Sequence, residues 1–253
     1  MANKKKETGV VAIGDQFTAL ASVDNLKEVV LANFGTRAAT WTDLERIRVG
    51  AGGVLTYQVE DEIDGVSGVD EFEALICWWK DQRVWWKTPI GTKGAENGPP
   101  NCVSNDLVLG AGVNGFAEPG VPISCDTCPN NRFGKNPAPA IEDNWCKDTR
   151  MLFLLRPEKK DAIFPSVLIV PPGSLKPVQK YLMALTSRGL PYFATVHKFT
   201  LTGDVSQGGF KYSKVKIDFV RKLEADEVKL VQGFAHAVQP AFETLVPEQD
   251  AVE

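Results

Sequence analysis

The sequence predicts a mainly β protein with α elements, an α+β class, and three observations carry that expectation. Apolar residues change from helical to alternating spacing at Val54 and alternate again over two later stretches. A single segment with helix punctuation, residues 173–189, lies between those later stretches. Residues 91–148 keep neither period and fill with Gly, Pro, Asn and Cys. With 253 residues and 43% hydrophobic content the chain can bury an ordinary core, as one elaborated domain or two small ones. It has no run of about 18 apolar residues. Its start, MANKKKETGVVAIGD, is basic without an apolar signal core, so the expectation is a cytoplasmic protein without a membrane partner.

Residues 1–23 read as a flexible basic N-terminus carrying Lys4, Lys5 and Lys6. Asp24 caps a helix running to Asn33, because DNLKEVVLANFG spaces its apolar residues helically and ends on Gly. Thr42 starts a second, short helix as N-cap, with Glu45 at its third position. VLTYQVE (54–60) alternates as a strand. EFEALICWW (71–79) is another, with Phe72, Ala74, Ile76 and Trp78 on one face and Leu75, Cys77 and Trp79 on the other. KDQ (80–82) then turns the chain into a return strand, RVWWK (83–87).

Past the aperiodic segment, RMLFLLRP (150–157) and FPSVLIVPP (164–172) read as apolar strands, the second covered on both faces. GSLKPVQKYLMALTSRG (173–189) is a helix with Ser174 as N-cap, Gly189 as stop and Leu175, Val178, Leu182 and Leu185 as its apolar face. PYFATVHKFTLTG and GGFKYSKVKIDFVRKL form a long hairpin across the polar, Gly-rich DVSQGG. A last helix spans 225–245 and is interrupted by Pro240. Strands, a helix, then strands is the order of a Greek-key barrel of the OB type, whose helix lies between its third and fourth strands. The strand count is above that of the simple barrel. The expected architecture is therefore a decorated OB-like barrel (24–90 and 149–245) with a cysteine-rich zinc-binding insertion (91–148), helical ends and an acidic tail (246–253).

Four of the five cysteines fall in the insertion: Cys102, the CDTC pair Cys125 and Cys128, and Cys146. A Cys-x2-Cys turn presents two thiolates to one tetrahedral ion, and two more from separate segments complete a closed structural zinc site. The insertion has too little apolar material for its own core, so metal ligation supplies the missing cohesion. An iron–sulfur cluster on the same ligands is the competing cofactor, with disulfides and a redox pair at Cys125 and Cys128 as further readings. Cys77 reads as a small buried residue. The two histidines, His197 and His236, stand away from the cysteine pair, and the signatures of zinc deaminases, phosphate loops and serine hydrolases are missing. A binding protein is expected, not an enzyme.

The segment ICWWKDQRVWWK (76–87) holds four of the six tryptophans and threads Lys80, Arg83 and Lys87 between them. Base stacking with phosphate neutralisation accounts for both residue types. The stacking candidates are Trp79, Trp85 and Trp86, with Tyr212. The phosphate candidates are Lys80, Arg83, Lys87, Lys198, Lys211, Lys214 and Lys216, and alternation puts Tyr212, Lys214 and Lys216 on one face. The net charge of −4 is unevenly spread: residues 223–253 carry seven acids and one Lys, whereas 196–222 carry six bases and two acids.

In order, DLERIRVGAGG, CWWKDQRVWW, GPPNCVSND, CDTCPNNRFG, LFLLRP, PPGSLKPVQKYLMALTSRGLPY and GGFKYSKVKIDF resemble a group of bacteriophage-encoded zinc-binding, OB-fold-like single-stranded DNA-binding proteins, over most of residues 24–245. The resemblance implies a phage origin, a zinc-bearing barrel, and binding of single-stranded DNA without strong sequence preference during replication or recombination in the bacterial host cytoplasm. It also implies replication or recombination proteins as partners of the acidic tail. Such tails commonly end in an aromatic residue, and this one ends DAVE. The alternative is a zinc-containing phage adaptor whose tryptophans anchor a host or phage protein, in anti-defence or transcription redirection.

Overall fold

The computed structural model describes residues 17, 20, 28, 32, 43–61, 65–86, 100–112, 121–131, 145–159, 164–206, 208–243 and 245. Its longest strand is β4 (Glu71–Trp85). Before it lie β1 (Arg46–Val49), β2 (Tyr57–Asp61) and β3 (Gly65–Val69). After it come β5 (Cys102–Ser104), β6 (Leu109–Gly112), β7 (Pro122–Ser124), β8 (Lys147–Leu155), β9 (Ser166–Val170), helix α1 (Pro172–Thr186), β10 (Thr195–Val205), β11 (Lys211–Lys222) and helix α2 (Ala225–Val238), which continues as a 3-10 turn at Gln239–Phe242. The α+β class expected from periodicity is the class observed. No helix among the described residues is long and apolar enough to cross a membrane.

The strands form one sheet in the order β3-β2-β1-β9-β8-β4-β5-β6-β7, with β10 joined to the N-terminal part of β4 and β11 outside β10. Among the described residues only β1 and β9 pair in parallel. The sheet curls until the segment before β2 stands against the hairpin of β10 and β11. Tyr57 Oη donates to Thr200 O (3.0 Å) and Ser213 Oγ donates to Val54 O (2.7 Å) across that seam. No ladder spans it among the described residues, so the expected barrel is not closed. The free edge of β11 is covered by α1 instead: the Val215 N–H donates to Ser174 Oγ at 2.9 Å. Ser174 is therefore committed inside the helix, and Pro171, followed by Pro172 at the first helical position, precedes it where Ser174 was expected to cap. Gly189 ends the α1 segment with φ +67°, the left-handed turn that favours glycine.

Two cores lie on opposite faces of the sheet. The inner one gathers Tyr57, Phe72, Leu152, Leu168, Phe199 and Ile217 under Val178 of α1. The outer one packs Leu75, Trp78 and Phe153 beneath Phe234 of α2 and Phe242. Strand β4 serves both, and its alternation is broken: opposite β8 the register slips between Ile76 and Trp78, leaving Cys77 as the extra residue. Phe72, Ala74 and Ile76 face the inner core, but beyond the bulge it is Trp79 that joins them. Trp78 turns to the outer core with Leu75 and Cys77. The expected grouping of Trp78 with Phe72, Ala74 and Ile76 is reversed, because one inserted residue exchanges the faces of everything after it.

Two further expectations are corrected. KDQ does not turn the chain: Lys80, Asp81 and Gln82 stand in the ladder opposite Met151, Arg150 and Thr149, so β4 continues where a hairpin was expected. The polar side chains that suggest a turn each have a partner. Asp81 takes both prongs of Arg150 (2.7 and 2.9 Å), Gln82 Nε2 donates to Leu245 O and Asn105 Oδ1, and Lys80 Nζ donates to Glu243 O and Leu245 O. Of the short helix expected from Thr42, which lies outside the described residues, Asp43 is in a 3-10 turn, and from Arg46 the chain is the strand β1, held between β2 and β9. Glu45 accepts a hydrogen bond from Ser166 Oγ and pairs with Lys159 at 3.2 Å. Of the helix expected over 24–33, only Glu28 and Ala32 are described, both helical. The basic N-terminus, Lys87 and the tail 246–253 lie outside the described residues, apart from Phe17 and Leu20, which join the outer core.

Trp78 stacks on Phe153 with centroids 4.5 Å apart and lies 6.3 Å from Phe242. Trp78→Ala should therefore lower stability by about 3–5 kcal/mol, read by urea denaturation. A loss below about 1 kcal/mol would contradict its placement in the outer core.

Candidate functional site

Cysteines from separate segments face one small cavity. Cys102, Cys125, Cys128 and Cys146 line it together with Arg83, Gly110 and Asn131. Ladders bring them there: Trp85 of β4 pairs with Cys102, and β5, β6 and β7 form a meander that extends the sheet. The Cys125 N–H donates to Val108 O (2.8 Å), the Asn131 N–H to Cys128 O (3.1 Å), and Asn131 Nδ2 to Cys125 O (2.7 Å). The Cys146 N–H donates to Asn130 O (2.9 Å), which ties the last cysteine to the same turn. A Cβ at Gly110 would stand 2.9 Å from Cys102 Sγ, so the close approach requires glycine there.

Burial first, then the neighbouring Cys128 and Cys125, pushes the Cys102 thiol up to about 11. Burial, then Cys128 and Cys102, pushes Cys146 up to about 12. Thiols packed this closely hold their protons unless a cation offsets the charge. Among the described residues no group of three or more His, Cys, Asp or Glu side chains stands ready to hold a metal ion. The donor set nevertheless fits one: four sulfurs around a single enclosed space are the chemistry of a soft tetrahedral cation. The expected insertion is thus an annex of the sheet with its cysteines on one cavity, three of them already in backbone hydrogen bonds with neighbouring turns.

The expected nucleic-acid residues divide. Trp85 is 5% exposed, which takes it out of the stacking set, and Trp86 is half-buried. Arg83 is bound to its cross-strand neighbour Asp148 (2.6 and 3.0 Å) and raised in pKa first by that bond, so it braces the cysteine cavity and is not a free phosphate contact. Lys80 spends its ammonium on two carbonyls, and burial lowers its pKa to about 8. Tyr212, Lys214 and Lys216 share one face of β11, as alternation requires, but acids accompany them. Lys214 and Tyr212 both bond Asp204, Lys216 bonds Asp218 (2.7 Å), and Lys198 bonds Glu71 (2.7 Å). The Lys214 bond is first among the contacts that pull Asp204 down to about 2. Lys211 is exposed beside Gly53. The surface is one of mixed charge where a cationic track was expected.

Trp79, one of the expected stackers, lines a cleft. Arg150 lies over its ring at 3.9 Å, and the cleft, about 440 Å³, runs between Trp79 and the C-terminal half of α1 and the turn after it. The segment 172–191 carries Lys176, Lys180 and Arg188 and no acid. Its composition was legible, but only the fold brings Gln179, Leu182 and Met183, neighbours of these cations along α1, to the cleft at Trp79. His197 is sealed: Tyr181 Oη donates to Nδ1 (2.7 Å), Nε2 donates to Tyr192 O (2.8 Å), and burial lowers its pKa to about 4. Comparison with protein-family models, with curated proteins and with solved structures finds no match for this chain.

Proposed function

We propose that this chain is a phage single-stranded DNA-binding protein, acting in replication or recombination without strong sequence preference, and not an enzyme. The observation that carries the reading is the order of its ladders. Strands β4, β8 and β9, then α1, then β10 and β11 are joined by antiparallel ladders β4–β8, β8–β9, β4–β10 and β10–β11. This order supports an OB-like plan with its helix between the third and fourth strands, although no ladder closes it among the described residues. In this plan the cysteine insertion is the loop between the first two barrel strands and the β10–β11 turn is the loop between the last two, the two loops with which OB domains hold oligonucleotides. One departure matters: α2 covers the outer face of β8 and β9, so the bound strand takes another path.

In the same reading Cys102, Cys125, Cys128 and Cys146 hold a structural zinc ion as thiolates, and ligation releases their protons. Leu245 is held beside β4 through its carbonyl by Lys80 and Gln82, and the acidic tail that follows it in sequence serves as the contact for replication or recombination proteins. The host cytoplasm is the compartment this chemistry suits, because the thiols stay reduced there. One observation favours the adaptor reading: Phe210 at the β10–β11 turn is 77% exposed, with Val205 beside it at 56%, an apolar tip of the kind a protein partner covers.

Freshly purified protein should contain one zinc ion per chain, and the Cys125→Ser/Cys128→Ser variant none; metal-free protein, or full zinc in the variant, would remove the site, and brown protein with visible absorbance would make it iron–sulfur. Fluorescent oligothymidine should bind more tightly than duplex of equal length and weaken steeply with salt. Salt-insensitive capture of a single protein, with no affinity for oligothymidine, would replace the DNA reading by the adaptor.

A further inference from the structure

We infer that the cleft between Trp79 and α1 receives a base of the bound single strand, with the flanking phosphates on Lys176, Lys180 and Arg188. The inference rests on the DNA-binding reading above and adds the place where the strand lies. At about 440 Å³ the cleft is of the size that takes small ligands, about 300–1,000 Å³. Trp79 forms one side, and Leu182, Met183, Pro191 and Tyr192 form the others, so its character is apolar and aromatic. Arg150 lies over the Trp79 ring without lining the cleft. Its guanidinium is held by Asp81 (2.7 and 2.9 Å) and by Gln179 Oε1 (3.1 Å), which fixes the indole between two strands and the helix. A ring held in this way is a preset stacking platform, and it loses little freedom when a base arrives.

Charge selects the occupant. Lys176, Gln179, Met183 and Thr186 follow one stripe of α1, and Lys180 neighbours both Lys176 and Met183 at helical spacing. Arg188 sits between Thr186 and Gly189, both of which line the cleft. None of the three cations is ion-paired with a carboxylate among the described residues, in contrast to Lys198, Lys214 and Lys216. Two carboxylates that act on groups of α1 are already engaged: Asp81 by Arg150, which also bonds Gln179, and Asp218, which acts on Tyr181, by Lys216. An apolar peptide would fill the cleft but leave three cations without a counter-charge. A nucleotide strand supplies a flat ring for Trp79 and an anion on either side of it, and the ring needs no particular hydrogen-bond pattern, which agrees with weak sequence preference.

The test uses the full chain and fluorescent oligothymidine, titrated by anisotropy over a salt series. Met183 is 56% exposed on the rim, so Met183→Glu blocks the cleft without touching either core. Met183→Glu and Trp79→Ala should each weaken binding on the order of 10- to 100-fold. Replacing Lys176, Lys180 and Arg188 together by Ala should flatten the dependence of log K on log salt by roughly 2, the value for three phosphates on a single strand. Lys229→Ala, on α2, should bind as the parent does. If the parent binds oligothymidine and Met183→Glu and Trp79→Ala bind equally well, the cleft is not the site, while the DNA-binding reading stands. If the triple variant alone weakens binding, phosphates pass along α1 but no base enters, and the inference fails as stated. If the parent itself does not bind oligothymidine, both fall together.

Discussion

The bulge at Cys77 is the constraint from which the rest of the molecule follows. Strand β4 runs through the sheet with the β8 ladder on one side and β10, then β5, on the other. Without the extra residue, strict alternation would send Trp78 inward with Ile76 and Trp79 outward beneath α2. With it, Trp78 fills the outer core against Phe153, and Trp79 reaches the inner side, where Arg150 and α1 wait. The same shift carries Asp81 and Arg83 to positions directly opposite Arg150 and Asp148. Two cross-strand ion pairs then hold the far half of β4 in register, beyond the reach of the apolar cores.

Those pairs also explain how the cysteine annex is attached. Arg83 joins Asp148 at the start of β8 and lines the cysteine cavity, so the end of β4, the end of the insertion and the thiols meet in one place. The segment that returns from the insertion is the one that becomes β8, and the cavity sits at its root. Metal at this point would fix both ends of the insertion to the sheet at once, which gives a ligand set of distant cysteines a mechanical purpose as well as a local one.

Much of this was legible and the reasons are specific. Strands β8 to β11 and helix α1 stand out because alternation, a helical apolar stripe and Gly189 are local signals that the tertiary structure leaves intact. The cysteine cluster was visible in the CDTC pair and in the poverty of apolar residues around it. The bulge was hidden because nothing in ALICWWK distinguishes a continuous period from one interrupted by a single residue. KDQ misled because each of its polar side chains finds a partner far away in sequence, at Arg150, Leu245 or Asn105. The cationic track on β11 misled for a related reason, since Asp204 and Asp218 look like hairpin solubility and turn out to be the counter-charges. The cations of α1 were plain in the sequence and uninformative until the fold set their helix along the Trp79 cleft.

The central claim is that nucleic acid meets this protein at the Trp79 cleft, and photo-crosslinking reads that contact directly. Oligothymidine carrying 5-iodouracil would be bound at low salt and irradiated, and the adducts located by peptide mass spectrometry. The account predicts adducts at Trp79, Met183 or Tyr192, the reactive side chains that line the cleft. Adducts confined to Phe210, Tyr212 or Trp86, with the cleft peptides unmodified, would contradict it.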